Sequence, residues 1–359
     1  MQKAMIPKRS VSILGYGSYI PKYRIKAKEI DRIWNKGVIV EDAKSYPPVQ
    51  EKAVGNQDED AITIGCEATR RAMKSAGIDP SKIRAIFLGS ESNPYAVKTA
   101  GVTIAEAIGA SSDLLGATYE FACKAATEGM QTLMGLIGSN MIDYGIAIGA
   151  DTAQARPADV LEYTAASGGT ALVLGPNSED AVAQIEASYS YSEDTPDFWR
   201  REGRPYPRHY ERFTGEPAYF KFVLSAAKTL MSEVGYEPDD LAYVVLHQPN
   251  YKFPYKAAKK LGFNDEQITP GLLCNEIGNL YAGSTLTGIA GALDEAEPHD
   301  KILAVSYGSG SGSDAFILNV EEDITKKRDR TPKVRDLIDN RKEYIDYSLY
   351  SKMREKIKR

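Results

Sequence analysis

Short, nearly continuous apolar runs alternate along the chain with segments whose apolar positions recur at helical spacing. The runs at 11–20, 83–89, 144–151, 168–175, 183–189, 241–246, 302–307 and 314–320 read as strands. Between them, 26–34, 58–76, 99–108, 123–137, 218–234, 251–261 and 278–293 read as helices. In the second of these, Ala61, Ile64, Ala68 and Ala72 share a face and Gly77 supplies the stop. A strand ending at Ala122 feeds a helix whose Ala126, Met130, Met134 and Ile137 recur at helical spacing. The alternation predicts an α/β fold with a largely parallel sheet. Two similar halves are suggested, 11–190 and 191–321, each closing with a Gly-rich turn into an apolar strand; sequence identity between them is too weak to prove a repeat.

Two stretches break the pattern. Residues 191–213 are polar, aromatic and arginine-rich with little periodicity, and read as a loop or cap. The tail, 322–359, opens on the charged run Lys326–Arg330 and ends in a basic run. Val334, Leu337 and Ile338 share a helical face there, as Tyr344 and Tyr347 do further on. With so few aliphatics the tail is expected to lie on another surface, either its own subunit or a protein partner.

Composition narrows the function classes. The chain has 359 residues, enough for a large core or two domains, and a formal net charge of −5. Its basic residues are dispersed until the tail, which argues against nucleic acid. No secretory leader pattern and no membrane-spanning apolar run is visible. Cys66, Cys123 and Cys274 lie far apart, and the three histidines lack metal-ligand spacing, so neither a disulfide framework nor a metal site is expected. Gly15-x-Gly17 is too short for a dinucleotide fingerprint. The expectation is a soluble, cytoplasmic enzyme or binding protein.

Four residues compete for one site. Cys123 sits at a strand-to-helix junction, where a helix dipole favours thiolate; the bland alternative is an inert buried cysteine. Glu91 follows the strand 83–89 and His247 follows 241–246, as ligand-binding residues do at the carboxyl ends of strands; a solvated carboxylate and a turn histidine are the alternatives. Asn279 reads as either a site amide or an N-cap. Together they supply nucleophile, base, imidazole and amide, a complete kit for acyl transfer. Cys66 reads as structural, and Cys274 as structural or site-lining.

These motifs resemble the thiolase superfamily of condensing enzymes. Glu120-Phe-Ala-Cys-Lys-Ala-Ala resembles the nucleophile motif, His247-Gln-Pro-Asn the HQxN motif, and Gly278-Asn279 the GN motif. Ser90-Glu91-Ser92 and Gly278-Asn279-Leu-Tyr-Ala-Gly-Ser284 resemble the corresponding segments of the 3-hydroxy-3-methylglutaryl-CoA (HMG-CoA) synthases, and Lys124 with the compact length resembles their archaeal branch. The resemblance, covering about 11–321, implies a thiolase-like fold of two halves in five αβαβα layers. It implies condensation of acetyl-CoA with acetoacetyl-CoA for the mevalonate route to isoprenoids, with CoA thioesters as substrates and no further cofactor. Cys123 would carry the acetyl group, Glu91 would act as base, and His247 would polarise the ketone oxygen. Thr164, Asn279 and Ser309 resemble acyl-group contacts, and Arg212, Thr214, Lys252 and Lys256 resemble CoA contacts. Arg201, Arg204 and Arg208 receive no role. A homodimer or larger oligomer is implied, as is an assembly with an acetoacetyl-CoA thiolase and a small zinc-ribbon/OB-fold protein. A β-ketoacyl synthase, which has no need of Glu91, and a non-catalytic thiolase-fold subunit, which would have lost a kit residue, are the competing readings. Thr127-Glu128-Gly129 departs from the small residues that relatives carry, and implies that this helix face meets a polar group of another layer or a partner.

Overall fold

The computed structural model describes residues 3–35, 49–210 and 214–355. In chain order the strands are β1 (Val11–Tyr19), β2 (Tyr23–Lys26), β3 (Glu51–Val54), β4 (Ile83–Gly89), β5 (Leu115–Tyr119), β6 (Tyr144–Thr152), β7 (Ser167–Pro176), β8 (Ala183–Ser192), β9 (Phe198–Trp199), β10 (Arg208–His209), β11 (Tyr243–Leu246), β12 (Lys301–Val305), β13 (Gly312–Val320) and β14 (Glu343–Tyr344). The principal helices are α1 (Ala27–Trp34), α2 (Ala61–Ala76), α3 (Ala100–Ile108), α4 (Ala125–Gly138), α5 (Lys221–Val234), α6 (Lys252–Leu261), α7 (Ala282–Glu295), α8 (Val334–Asp339) and α9 (Tyr347–Met353).

Strand alternation builds the layers. One face of the first-half strands presents Ile86, Leu88, Ile146 and Val173 to α2 and α3 on the outside. The opposite face presents Phe87, Ala147 and Leu172 to a central layer made of α4 and α7. That layer is covered on its far side by Val245, Ala304, Phe316 and Leu318 of the second-half strands. Their other face, with Val244, Leu246, Leu303 and Ile317, packs on α5 and α6. The five layers expected from the resemblance are therefore present. The two sheet parts join at a seam where β1 meets β8 over Val11–Ile13, giving one order β11-β12-β13-β8-β1-β7-β6-β4-β5.

The sheet is mixed, which corrects the expectation of a largely parallel one. Only β4–β5, β4–β6 and β11–β12 run parallel, while β1–β7, β6–β7, β1–β8, β8–β13 and β12–β13 are antiparallel. Strands buried on both faces read as continuous apolar runs whichever way their neighbours point, so the pattern carried no direction. The β5 strand also differs from expectation: it ends at Tyr119 rather than Ala122 and forms a half-exposed sheet edge.

The tail packs on its own subunit. Val334, Leu337 and Ile338 enter the central core, and the Val334 N–H donates to buried Asp294 (2.7 Å). Buried Lys327 donates to the Leu14 carbonyl (3.0 Å). Next, β14 pairs with β2, and Tyr350 and Met353 complete a small core with Ile25, Ile30 and Val54. Arg354 then donates to the Thr152 carbonyl (3.1 Å) beside the site described below.

Candidate active site

The first half contributes a thiol and a carboxylate. After β5 the chain turns through Ala122, whose φ is +43°, and Lys124 precedes the first residue of α4. Cys123 thus lies just ahead of the helix and not in its first turn, as its sequence suggested. Lys124 is fully buried: its ammonium meets Asp314 of β13 (2.9 Å) and Glu128, and lies over the Phe121 ring. Thr127 reaches the same Asp314 (2.6 Å) and Ser306 (2.8 Å). The polar Thr127-Glu128 step therefore meets a polar group of the opposite layer.

Glu91 leaves the end of β4 on a loop held by one side chain. Oδ1 of buried Asp151, near the end of β6, accepts from Ser90 Oγ (2.8 Å), the Glu91 N–H (2.8 Å), the Ser92 N–H (2.9 Å) and Ser92 Oγ (2.6 Å). Its Oδ2 accepts from the Ala282 N–H at the start of α7 (2.9 Å). This aims Glu91 at the nucleophile, and Cys123 Sγ donates to Glu91 Oε1 at 3.1 Å. Burial, and then the Asp151 charge, push the Glu91 carboxyl up to about 8. Burial first and the Glu91 charge second push the Cys123 thiol well up, opposite to the lowering expected of a helix start. Position explains the reversal: the sulfur faces a carboxylate in a dry site, and both outweigh the dipole.

The second half contributes neutral groups. His247 follows β11 and is buried, its carbonyl accepting from Tyr219 OH (2.7 Å) while Nδ1 has no hydrogen-bond partner among the described residues. Burial pushes the imidazole down to about 3, so it is neutral at physiological pH. Gln248 pins the turn, donating to Gly271 and accepting from the Leu273 and Cys274 N–H groups. Asn279 is not the cap of α7: its N–H donates to the Thr164 carbonyl and its Oδ1 accepts from the Tyr281 N–H, both at 2.8 Å. Tyr281, with φ +53°, immediately precedes the helix. Ser309 Oγ and Tyr307 OH donate to buried Asp197.

A cavity of about 260 Å³ gathers Cys123, Thr164, Thr214, His247, Asn279 and Ser309 against an apolar wall that includes Leu161, Phe198 and Phe253. Glu91 lines a second, larger cleft behind it, and Tyr281 lines both. Lys252 and Lys256 lie outside the pocket lining, exposed on α6 near Phe253, with no ion-pair partner among the described residues. Arg212 falls outside the described residues. Arg201, Arg204 and Arg208 line a neighbouring surface cleft. Cys274 is buried, lines neither cavity and is pushed up by burial, while Cys66 is half-buried on α2. Sequence reasoning missed Asp151, Asp197 and Tyr281. Asp151 closes an apolar run and was open to the strand-end rule applied to Glu91. Asp197 sits in an aperiodic loop and gave no signal. Among the described residues no group of three or more His, Cys, Asp or Glu side chains is arranged to hold a metal ion.

Comparison with known proteins places the chain among its relatives by sequence and by fold. Residues 231–320 match the family described as 3-oxoacyl-[acyl-carrier-protein (ACP)] synthase III C terminal. The chain is 59% identical over 356 residues to the hydroxymethylglutaryl-CoA synthase of Thermococcus kodakarensis, covering 99% of both chains. It is 56% identical to that of Pyrococcus furiosus over 99% of both, and 55% identical to that of Methanocaldococcus jannaschii over 96% of this chain and 99% of the other. A crystal structure of HMG-CoA synthase complexed with CoA superposes with a TM-score of 0.82 at 17% identity, covering 96% of this chain and 90% of that one. The 3-oxoacyl-(acyl carrier protein) synthase III of Pseudomonas aeruginosa PAO1 gives 0.78 at 18% identity, covering 88% and 99%. At these identities the structural likeness is one of fold.

Proposed function

The chain belongs to the hydroxymethylglutaryl-CoA synthase family, and from that premise we propose that Cys123, Glu91 and His247 carry its condensation of acetyl-CoA with acetoacetyl-CoA. Glu91 takes the Cys123 proton, the sulfur attacks the acetyl carbonyl, and CoA leaves with that proton. Glu91, again a carboxylate, removes a proton from the methyl of acetyl-Cys123. The resulting enolate attacks the ketone carbon of acetoacetyl-CoA, and the alkoxide formed takes the methyl proton back from Glu91, leaving it a carboxylate again. A neutral His247 donates a hydrogen bond to the developing alkoxide, which suits an imidazole that burial keeps uncharged. Thr164, Asn279 and Ser309, which share the Cys123 pocket, position the acyl groups. Thr214 at the same pocket, with Arg212, Lys252 and Lys256, holds the CoA moiety, whose phosphates suit cations. Water finally releases HMG-CoA from the thioester. Each step uses a side chain or a substrate, so no further cofactor is required.

The observation that carries this reading is the 3.1 Å contact between Cys123 Sγ and Glu91 Oε1, which joins nucleophile and base. A condensing enzyme without enol chemistry at this position has no use for that carboxylate. The test is mass spectrometry of the protein incubated with acetyl-CoA alone and digested. Added acetyl mass is expected on Cys123; mass on Cys66, on Cys274 or on neither refutes the assignment.

The proposal extends to assembly and setting. The chain is divided into halves 11–190 and 191–321 plus a tail, and acts as a homodimer or larger oligomer in the cytoplasm within the mevalonate route. The outer edge of β5, which pairs with no strand among the described residues and is flanked by exposed Val97, Val102 and Leu115, supports pairing of two copies. Three free cysteines suit a reducing compartment. Among the described residues no helix is long and apolar enough to cross a membrane. Association with an acetoacetyl-CoA thiolase and a small zinc-ribbon/OB-fold protein is part of the same proposal, and direct hand-over of acetoacetyl-CoA would draw an unfavourable thiolytic equilibrium forward.

A further inference from the structure

Two cavities meet at the site from different sides, and their chemistry differs. The front pocket, about 260 Å³, holds Cys123 against Leu161, Phe198 and Phe253. The rear cleft, about 460 Å³, reaches Glu91 and is walled by Asn56, Asp60, Asn93, Gln154 and Arg200. The two share Tyr281, which stands between them, and the Cys123–Glu91 hydrogen bond links their linings. Arg200 fixes the rear wall by donating to the Glu91 carbonyl (3.1 Å), and the Met353–Glu355 segment closes its rim.

The reaction creates a conflict that this arrangement resolves. While an acyl chain and CoA occupy the front pocket, the final step still needs a water at the Cys123 thioester. The front pocket is apolar and would be filled. The rear cleft is polar, of a size to hold several waters, and ends on the carboxylate that touches the sulfur.

We infer that the rear cleft is the water and proton route to the acyl-enzyme, with Glu91 as its inner end. This rests on the reading of Cys123 as the acyl carrier. A water entering past Gln154 and Arg200 gives a proton to the Glu91 carboxylate as its oxygen bonds to the acyl carbon. The carbon–sulfur bond breaks, the Cys123 sulfur takes that proton back from Glu91, and the acid leaves as a carboxylate plus a solvent proton. No oxidant or further reactant is involved.

The test uses the full chain, acetylated with acetyl-CoA and freed of excess reagent, with loss of the acetyl mass from Cys123 followed over time. Desulfo-CoA, which fills the CoA path but has no sulfur to accept the acetyl group, is added to saturation. The expected result is deacylation at an unchanged rate, because water arrives from the rear. Substituting Asn56→Trp or Gln154→Trp to obstruct the cleft is expected to slow deacylation by ~10²-fold, the scale of losing one proton-transfer partner, with acetylation unchanged. Deacylation that stops under desulfo-CoA overturns the inference even if the Trp variants fail to fold. Deacylation at the normal rate in both well-acetylated Trp variants overturns it as well. Absence of acetyl mass on Cys123 in the unsubstituted chain overturns the acyl-enzyme reading and this inference with it.

Discussion

The two helices of the central layer, α4 and α7, begin at equivalent places in the two halves and are anchored by opposite means. Ahead of α4 stand Ala122 at φ +43°, the buried thiol and the buried Lys124 cation locked to Asp314. Ahead of α7 stand Asn279 and Tyr281 at φ +53°, held by uncharged donors and acceptors, with Asp151 the only carboxylate among the described residues that hydrogen-bonds there. Both turns hold a non-glycine residue in a sparsely populated backbone region, so both need neighbours that over-determine them. The first half does this with an ion pair reaching across the layers, the second with hydrogen bonds, one local to Asn279 and two reaching Thr164 and Asp151 of the first half. Disturbing the turn that carries Cys123 is therefore expected to cost more than disturbing the turn ahead of α7.

Substitutions can break or sharpen that contrast. The largest effect is expected for Glu91→Gln, which keeps size and removes basicity: HMG-CoA formation should fall by ~10²–10⁴-fold. A smaller loss than that of Asn279→Ala would remove the first half's priority. Next, Lys124→Met strands Asp314 as an unpaired buried charge and should cost ~3–5 kcal/mol in denaturant unfolding. Asn279→Ala, which leaves the Tyr281 N–H without its acceptor, should cost ~1–3 kcal/mol. Adding Asp314→Asn to Lys124→Met should recover much of the first loss, and equal costs for the two single variants would end the comparison.

The pH profile gives a subtler discriminator. Glu91 works as a base only above its pKa, so kcat/KM should rise with pH through about 8 in the unsubstituted chain. Asp151→Asn removes a neighbouring negative charge that raises that value, so the rising limb should move to lower pH. An unmoved limb would assign it to another group. The least effect is expected at the outer rim: Lys252→Ala with Lys256→Ala should raise KM with little change in kcat, the pattern of lost uniform binding. A changed kcat at constant KM would count against a role in holding CoA.

Much of this was legible because residue type and position in the chain coincided. Apolar runs located the principal strands, and the strand-end rule found Glu91 and His247. Cys123, read as lying on a first helical turn, stands just ahead of the helix, and its electrostatics are the reverse of those expected. Sequence shows a nearby helix start and says nothing of a carboxylate 32 positions away. Strand direction stayed hidden because β7 and β13 are buried on both faces, which leaves no alternation to read. Asp197 and Tyr281 stayed hidden for a different reason: their roles come from a buried hydroxyl pair and a backbone angle, neither of which leaves a periodic trace. The tail looked too poor in aliphatics to build a core of its own, and was expected to lie on another surface. Its Val334, Leu337 and Ile338 needed no core of their own, because they complete one built by the rest of the chain.

That completion has a consequence for how the molecule is made. Arg354 donates to carbonyls 299 and 202 positions earlier, at Gly55 and Thr152. During synthesis at about 5–20 residues per second, Thr152 waits roughly 10–40 s for its partner to be added. For most of that interval the nascent first half has its Cys123 turn without Asp314, and throughout it the cleft beside Glu91 lacks Met353–Glu355. Loops of that span are closed late, since their entropy is lost before any contact rewards it. The Cys123 thiol therefore spends its early life in an unfinished site, whose walls close only when the far end of the chain folds back to the beginning.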